Sequence, residues 1–423
     1  MKRSRVFSMR PTALLASVLF SVFFATAAFS QPSATQASLS GLRQTATVEP
    51  SELNGRIDAV FGPNSGIKAG SSVRLFRIDY SSLNYSGKMV VVNGLLALPA
   101  NGAPNGLVIF NHGTTADRDR SPSRYKGQGD FSESEMAMLA FASGGYAVAM
   151  PDYLGLGDEK GFHPYPLGEV NSRTAVDMIV PARIAAARMN IRVGRDLFVT
   201  GYSEGGAVAM WTARRLEETT GPMYRLTASA PLSGPYDLSE TMRKWLVAEN
   251  TSQEGFIGRL YLLSYMLYSL HKNRGIKLTN YFEPAMALTV SQAFNRNRED
   301  KTIITRLAIA AGLMKAGNSI ENVLTPRFYK ALKEKDLVDP VVAEMAKNDA
   351  YDWTPSKPML LVNLETDAIV DGGNSDVAYR VLRRNAGSIV ERFVIKNPEL
   401  DHMTASAPAI LRARMFFDGV RAR

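Results

Sequence analysis

The 423-residue sequence contains no cysteine and only four histidines. The absence of cysteine excludes disulfides, thiol nucleophiles and cysteine-ligated zinc, so stability must come from the core of the folded chain. The scarcity of histidine limits any histidine-dependent chemistry to His112, His163, His271 and His402. These four show no ligand-like pairing along the sequence, and we therefore predict neither a metal nor an organic cofactor.

A strong excess of one charge is also absent. The formal net charge is +9, and four of the positive charges are Lys2, Arg3, Arg5 and Arg10 at the N-terminus. The remaining charge is too mild and dispersed to indicate nucleic-acid binding, and we expect none. With 45% hydrophobic and 21% charged residues, the composition is that of an ordinary globular protein. Its length favours one large α/β domain with an insertion, or two domains.

One long apolar run occurs, close to the start. Residues 12–28 follow the basic residues and precede small polar ones, a pattern typical of a cleavable signal peptide over residues 1–30. A membrane anchor is the alternative, but the run is barely long enough to span a bilayer. We therefore predict a secreted or periplasmic protein with no integral membrane span after signal removal.

The next segment lacks hydrophobic periodicity. Residues 31–50 are rich in Ser, Thr, Gln and Ala, which is typical of a flexible terminus. Because strand-like patterns begin near Val73, we expect the whole of residues 31–70 to be flexible.

Strand and helix patterns alternate through most of the remaining chain. The predicted strands are residues 73–80, 89–98, 107–111, 147–150, 196–200, 226–231, 358–363 and 390–395. The predicted helices are residues 174–189, 207–217 and 377–384, and a C-terminal helix from about residue 404. This alternation predicts an α/β fold with a mostly parallel central sheet flanked by helices.

The alternation stops between Pro235 and Trp353, where the pattern becomes helical. We predict a helical cap or lid insertion at residues 236–354, which divides the α/β core into residues 71–235 and 355–423. Within the insertion, residues 255–270 carry many large apolar side chains and no Asp or Glu. This segment has more large apolar residues than one buried stripe requires, so we expect it to line a binding pocket as well as to pack the cap.

The run GYSEGG at residues 201–206 lies between a predicted strand and a predicted helix. This is the context of a nucleophile elbow, in which a sharp turn exposes a serine and glycines on either side prevent collisions with neighbouring backbone. We predict Ser203 as a nucleophile. The alternative is a plain strand-to-helix turn with an exposed serine.

A serine nucleophile needs a base, and only His402 follows the last predicted strand. The orienting acid should follow the preceding strand, where Asp367 is the first choice on spacing. Asp371, Asp376 and Glu365 lie close enough to compete.

The charge that develops on the attacked carbonyl oxygen needs hydrogen-bond donors, normally two backbone N–H groups. Glu204, directly after the nucleophile, is expected to supply one. The second is expected from the backbone N–H of Thr114 or of Thr115, which come after Gly113 in the loop that follows residues 107–111.

With these features in chain order, the sequence resembles the α/β-hydrolases. The runs PDYLGLG at residues 151–157 and HPY at residues 163–165, together with GYSEGG, resemble the secretory lipase and esterase family of bacteria and fungi. The resemblance spans about residues 73–417 and implies the α/β-hydrolase fold, a helical cap over the active site, no cofactor, and hydrolysis of fatty or other hydrophobic esters. The chain departs from fungal members in lacking cysteine and in having Glu204 where Gln is common. His163 and Tyr165 are expected to be structural residues of an ordered loop.

These patterns predict a serine esterase or lipase that acts on a small-molecule or lipid ester through an acyl-enzyme. The runner-up is an aminopeptidase-type serine peptidase with the same fold and triad. Such peptidases usually anchor the substrate amine with acidic residues, which residues 255–270 lack. A binding protein that has lost its chemistry is disfavoured, because Ser203, Asp367 and His402 are all present.

Overall fold

Short apolar runs form the strands of one central sheet in the computed structural model, which describes residues 37–219, 221–249 and 252–422. Within that part of the chain there are nine strands. They are β1 (Leu39–Val48), β2 (Val73–Leu83), β3 (Met89–Pro99), β4 (Leu107–Asn111), β5 (Ala147–Pro151), β6 (Leu197–Tyr202), β7 (Ala228–Leu232), β8 (Met359–Leu364) and β9 (Val390–Ile395). The predicted signal peptide, residues 1–30, lies outside the described residues.

The strand order across the sheet is β1-β2-β3-β5-β4-β6-β7-β8-β9. The pairs from β1 to β5 are antiparallel, and those from β5 through β4 to β9 are parallel. Strands β4, β5, β6, β7 and β8 are buried along their whole length, as expected for a parallel sheet covered on both faces. The mostly parallel α/β sheet predicted from the sequence is therefore confirmed.

The helices of the described residues cover both faces of the sheet and fill the segment between β7 and β8. They are α1 (Pro50–Phe61), α2 (Glu133–Ala137), α3 (Gly168–Arg188), α4 (Glu204–Glu218), α5 (Arg243–Leu246), α6 (Gln253–Arg274), α7 (Pro284–Phe294), α8 (Asp300–Leu313), α9 (Pro326–Glu334), α10 (Pro340–Lys347), α11 (Gly373–Ala386) and α12 (Ser406–Arg421). Apolar residues of α1, α2 and α12 pack on one face of the sheet, and those of α3, α4 and α11 pack on the other.

The prediction that residues 31–70 are flexible is wrong for the described part of that segment. β1 pairs along its length with β2, and α1 follows it directly. The amino-acid composition gave no sign that this segment is ordered. An edge strand gains its order from backbone hydrogen bonds to its neighbour, which do not depend on side-chain type. Few apolar side chains are needed, since Val48, Leu53 and Ile57 are the buried hydrophobic residues of these two elements.

The segment between β7 and β8 contains helices α5 to α10 and has an apolar core of its own, distinct from the two cores that flank the sheet. Helix α6 supplies the largest share of this core. Its buried residues include Leu260, Leu263, Leu267 and Leu270. No helix of the described residues has both the length and the apolar character needed to cross a membrane.

Candidate active site

Ser203 lies at the turn between β6 and α4 with φ 58° and ψ −124°, a conformation that a non-glycine residue rarely adopts. The turn is held by the Ser203 N–H, which donates to the Leu232 carbonyl at 3.0 Å. A Cβ on Gly201 would approach the Asn111 carbonyl oxygen to 2.4 Å, and one on Gly205 would approach it to 2.0 Å. Glycine is therefore required at both positions, and the turn has the geometry of a nucleophile elbow.

His402 follows β9 and reaches back to Ser203. Its Nε2 lies 2.8 Å from Ser203 Oγ, and its Nδ1 lies 2.7 Å from Asp367 Oδ2. The other oxygen of Asp367 accepts the N–H groups of Ile369 and Val370, each at 2.9 Å. The Asp367 and His402 side chains are almost fully buried, at 1% and 4% exposure. The structure thus brings Ser203, His402 and Asp367 into one hydrogen-bonded chain.

The competing acids have other partners. Asp371 accepts the N–H of Gly373 at 2.7 Å. Asp376 pairs with Arg392, and Glu365 lies 3.6 Å from the Lys396 ammonium. Of the four acids that follow β8 and were considered from the sequence, Asp367 is the one that contacts the histidine.

Tyr202 holds the loop that carries His402 in place. Sequence reasoning missed this contact. The Tyr202 hydroxyl donates to the His402 carbonyl at 2.6 Å, and the two ring centroids are 5.1 Å apart. Because Tyr202 precedes Ser203, the same turn positions the nucleophile and the main chain of its partner. The residue stands within the GYSEGG run, but nothing in the run indicates a partner 200 positions away.

The residues expected to supply oxyanion donors line the same cavity as Ser203. Glu204 is the first residue of α4, where N–H groups have no partner within the helix. In the loop after β4, the Gly113 N–H donates to Glu133 Oε2 at 2.9 Å and the Ala116 N–H donates to Asp300 Oδ1 at 2.8 Å. Between them, neither the Thr114 N–H nor the Thr115 N–H has an acceptor among the described residues. Both residues line the cavity, but Thr115 is only 7% exposed whereas Thr114 is half-buried, so Thr114 is the better candidate for the second donor.

The remaining histidines hold backbone in place. His112 contacts the carbonyl oxygens of Gly113 and Asp152 and stacks on Tyr153 at 4.2 Å. Burial lowers the pKa of His112, so the ring is neutral at physiological pH. His271 Nδ1 lies 2.7 Å from the Ile276 carbonyl, at the end of α6.

His163 forms a buried pair with the side chain of Glu204. Its Nε2 lies 2.8 Å from Glu204 Oε1, which also accepts from Asn171 at 3.4 Å. Glu204 is 2% exposed. Its carboxylate thus ties the first turn of α4 to the loop that carries the HPY run. The backbone N–H of Glu204 has no acceptor among the described residues.

Glu133 is a second acid that sequence reasoning missed. It begins α2, lines the same cavity as Ser203, and contacts the loop after β4 through Gly113. Burial, reinforced by the negative charge of Glu204, raises its pKa to about 8, although the hydrogen bond from Gly113 acts in the opposite direction. This raised pKa favours the protonated form of Glu133 at neutral pH.

A cavity of about 730 Å³ opens above Ser203 and His402, a size typical of a site for an organic ligand. Most of its wall is apolar. The apolar lining includes Trp245, Leu246, Ile257, Leu263, Met266 and Ile369. Helix α6 provides several of these residues, in agreement with the excess of large apolar side chains in residues 255–270.

Comparison with protein-family models and with curated protein sequences gives no match. Solved structures do match. A protein from Legionella pneumophila is 23% identical, with a TM-score of 0.78 over 90% of this chain and 98% of that one. The rice cell wall degrading esterase LipA from Xanthomonas oryzae is 23% identical, with a TM-score of 0.75 over 91% of this chain and 97% of that one. Candida antarctica lipase A in its closed state is 14% identical, with a TM-score of 0.64 over 91% and 82%. The chain therefore has the α/β-hydrolase fold.

Proposed function

We propose that the protein is a carboxylic ester hydrolase that acts through an acyl-enzyme on Ser203. The observation that carries the proposal is the hydrogen-bonded chain Ser203–His402–Asp367 at the base of a large apolar cavity. A serine hydroxyl, an imidazole and a buried carboxylate in this order are the elements of nucleophilic acyl transfer.

Asp367 sets the tautomer of the imidazole. The carboxylate accepts a hydrogen bond from Nδ1–H of His402, which leaves Nε2 free to accept the proton of Ser203. Ser203 Oγ attacks the ester carbonyl carbon while its proton passes to Nε2. The two N–H donors from Ile369 and Val370 keep the Asp367 carboxylate oriented as the imidazolium forms.

The carbonyl oxygen becomes an oxyanion, which the N–H groups of Thr114 and Glu204 stabilise. The intermediate then collapses, the ester C–O bond breaks, and the alcohol leaves with the proton from Nε2. Water attacks the acyl-enzyme with His402 again as the base, and the carboxylic acid is released. Every proton moves between substrate, water, Ser203 and His402, so no metal or cofactor is needed.

The cavity supports a hydrophobic acyl group and thus a small-molecule or lipid ester. Apolar residues of α5 and α6 form much of its wall. Two of the structural neighbours are named an esterase and a lipase, which supports ester cleavage as the reaction class.

The decisive experiment compares Ser203→Ala with the wild type on p-nitrophenyl esters from acetate to palmitate and on aminoacyl anilides. We expect ester hydrolysis by the wild type and none above background by the variant. The melting temperature should change little, because the half-buried hydroxyl contributes little packing. A fluorophosphonate probe should label Ser203.

Three results would contradict the proposal. Activity of the variant within tenfold of the wild type, or labelling of a different serine, would remove Ser203 from the mechanism. Faster cleavage of anilides than of esters would favour the peptidase.

We also propose that the protein is secreted or periplasmic, on the pattern of residues 1–30. N-terminal sequencing of the mature protein tests this proposal.

A further inference from the structure

Asp300 makes three hydrogen bonds across the cavity wall. It is the first residue of α8, in the helical segment between β7 and β8. Its Oδ1 accepts the Ala116 N–H at 2.8 Å and the Tyr261 hydroxyl at 2.7 Å. Its Oδ2 accepts the Thr115 hydroxyl at 2.7 Å. One carboxylate therefore joins two cap helices to the loop that follows β4.

A second contact from the cap holds the same loop. The Tyr265 hydroxyl donates to the Thr115 carbonyl at 2.9 Å. Tyr265 lies one turn after Tyr261 on α6, with 6.1 Å between the two ring centroids. The peptide group that joins Thr115 to Ala116 is thus held at both its carbonyl and its N–H by cap residues.

The α/β core holds the N-terminal side of the same loop. Glu133 accepts the Gly113 N–H at 2.9 Å, and the Tyr153 hydroxyl donates to the His112 carbonyl at 3.0 Å. Thr114 therefore lies between a core anchor and a cap anchor. Because a peptide N–H direction depends on the torsions on both sides of it, neither anchor alone fixes where the Thr114 N–H points.

Two other roles for Asp300 do not explain its three hydrogen bonds as well. A carboxylate in the first turn stabilises a helix through the macrodipole, but that effect requires no contact with the loop after β4. An acidic anchor for a substrate amine needs free acceptor positions that face the cavity. Three donors from the protein already occupy three of the roughly four acceptor positions of the Asp300 carboxylate.

We infer that Asp300 is a positioning residue for the oxyanion hole, which makes the cap part of the catalytic machinery as well as a cover for the acyl group. The inference rests on the proposed function. Asp300 does not touch the reacting atoms. It holds Thr115 and Ala116 so that the preceding N–H, that of Thr114, meets the oxyanion. Such preorganised donors act mainly in the transition state, so their loss lowers kcat more than it raises KM.

The test compares Asp300→Ala with Asp300→Asn. Both remove the negative charge at the start of α8. Asparagine can still accept the Ala116 N–H through its oxygen and can donate its amide to the Thr115 hydroxyl, whereas alanine can do neither. Lys301→Ala, exposed on the next position of α8, is the matched control.

We expect Asp300→Ala to lower kcat on p-nitrophenyl butyrate about 100-fold with a KM within about threefold of the wild type, as for a displaced oxyanion donor. Asp300→Asn should recover most of kcat, and Lys301→Ala should equal the wild type. Thr115→Val, which removes one of the three contacts and leaves the cap sequence intact, should show a smaller loss of kcat. This variant keeps the inference testable if Asp300→Ala folds poorly.

Hydrogen exchange gives a second readout that needs no turnover. The amide of Ala116 should exchange faster in Asp300→Ala than in Asp300→Asn. Equal kcat in the wild type and in both Asp300→Ala and Thr115→Val would overturn the inference while leaving the esterase intact. An equal loss of kcat in the alanine and asparagine variants would also overturn it, because charge and not the hydrogen bonds would then matter. A wild type with no esterase activity but with protected Ala116 would instead refute the proposed function.

Discussion

Gly258 offers a way to shorten the acyl pocket without disturbing its wall. It lies within α6 and lines the cavity of about 730 Å³. A Cβ added at this position meets no heavy atom within 4 Å, so a larger side chain can enter the cavity without a backbone clash. Leucine is also a better helix former than glycine, so we expect Gly258→Leu to fold.

The expected magnitude follows from the apolar area exchanged. In the wild type, extending the acyl group from acetate to butyrate buries two methylenes, worth about 1.6 kcal/mol or about 15-fold in kcat/KM. The four carbons of the leucine side chain occupy room for about four methylenes. Esters whose acyl chains reach the space filled by the leucine side chain should lose about 3 kcal/mol of transition-state binding, or about 150-fold in kcat/KM. The acetate ester should lose little.

The assay is the p-nitrophenyl ester series from acetate to palmitate on the wild type, Gly258→Leu and Gly258→Ala. Alanine is the matched control, because it removes the glycine but adds only one carbon. We expect the acyl length of highest kcat/KM to fall in the leucine variant and to change little in the alanine variant. An equal loss on acetate and on long esters would refute the assignment of this region to the acyl chain.

Three further predictions concern the orienting acid, the loop after β4 and metals. Asp367→Asn should lower kcat by about 10⁴-fold, because the amide favours the wrong imidazole tautomer, whereas Asp371→Asn should keep most of its activity; similar losses in both would contradict the assignment of the acid. The raised pKa of Glu133 means that a negative charge appears beside the oxyanion only above about pH 8, so kcat/KM should fall through that pH. Glu133→Gln, which can still accept the Gly113 N–H, should abolish this alkaline fall, and the exposed Asp130→Asn should retain it; an unchanged pH profile in Glu133→Gln would show that another group titrates. Dialysis against EDTA should leave activity unchanged, and a loss that zinc or calcium restores would refute the absence of a metal.

The sequence by itself predicted the parallel part of the sheet and the position of the elbow. Strands β4 and β9 begin and end at the residues predicted for them, and the ends of the other predicted strands move by three residues or fewer. These features depend on neighbouring residues, because burial on both faces produces continuous apolar runs and the strained turn at Ser203 demands glycine close by. Spacing along the chain also placed Asp367 first among the acids that follow β8.

Tertiary structure alone decided the contacts that complete the site. The Asp300–Thr115 contact joins residues 185 positions apart, and the Tyr202–His402 contact joins residues 200 positions apart. A lone aspartate at a helix start resembles an ordinary first-turn acid, and no periodic pattern encodes which distant loop it meets. The same holds for β1, whose order comes from the backbone of β2 and hardly from its own side chains. Sequence periodicity and turn residues reflect neighbours within about four positions along the chain. These hydrogen bonds, by contrast, form only when the sheet and the cap have folded and packed against the loop after β4.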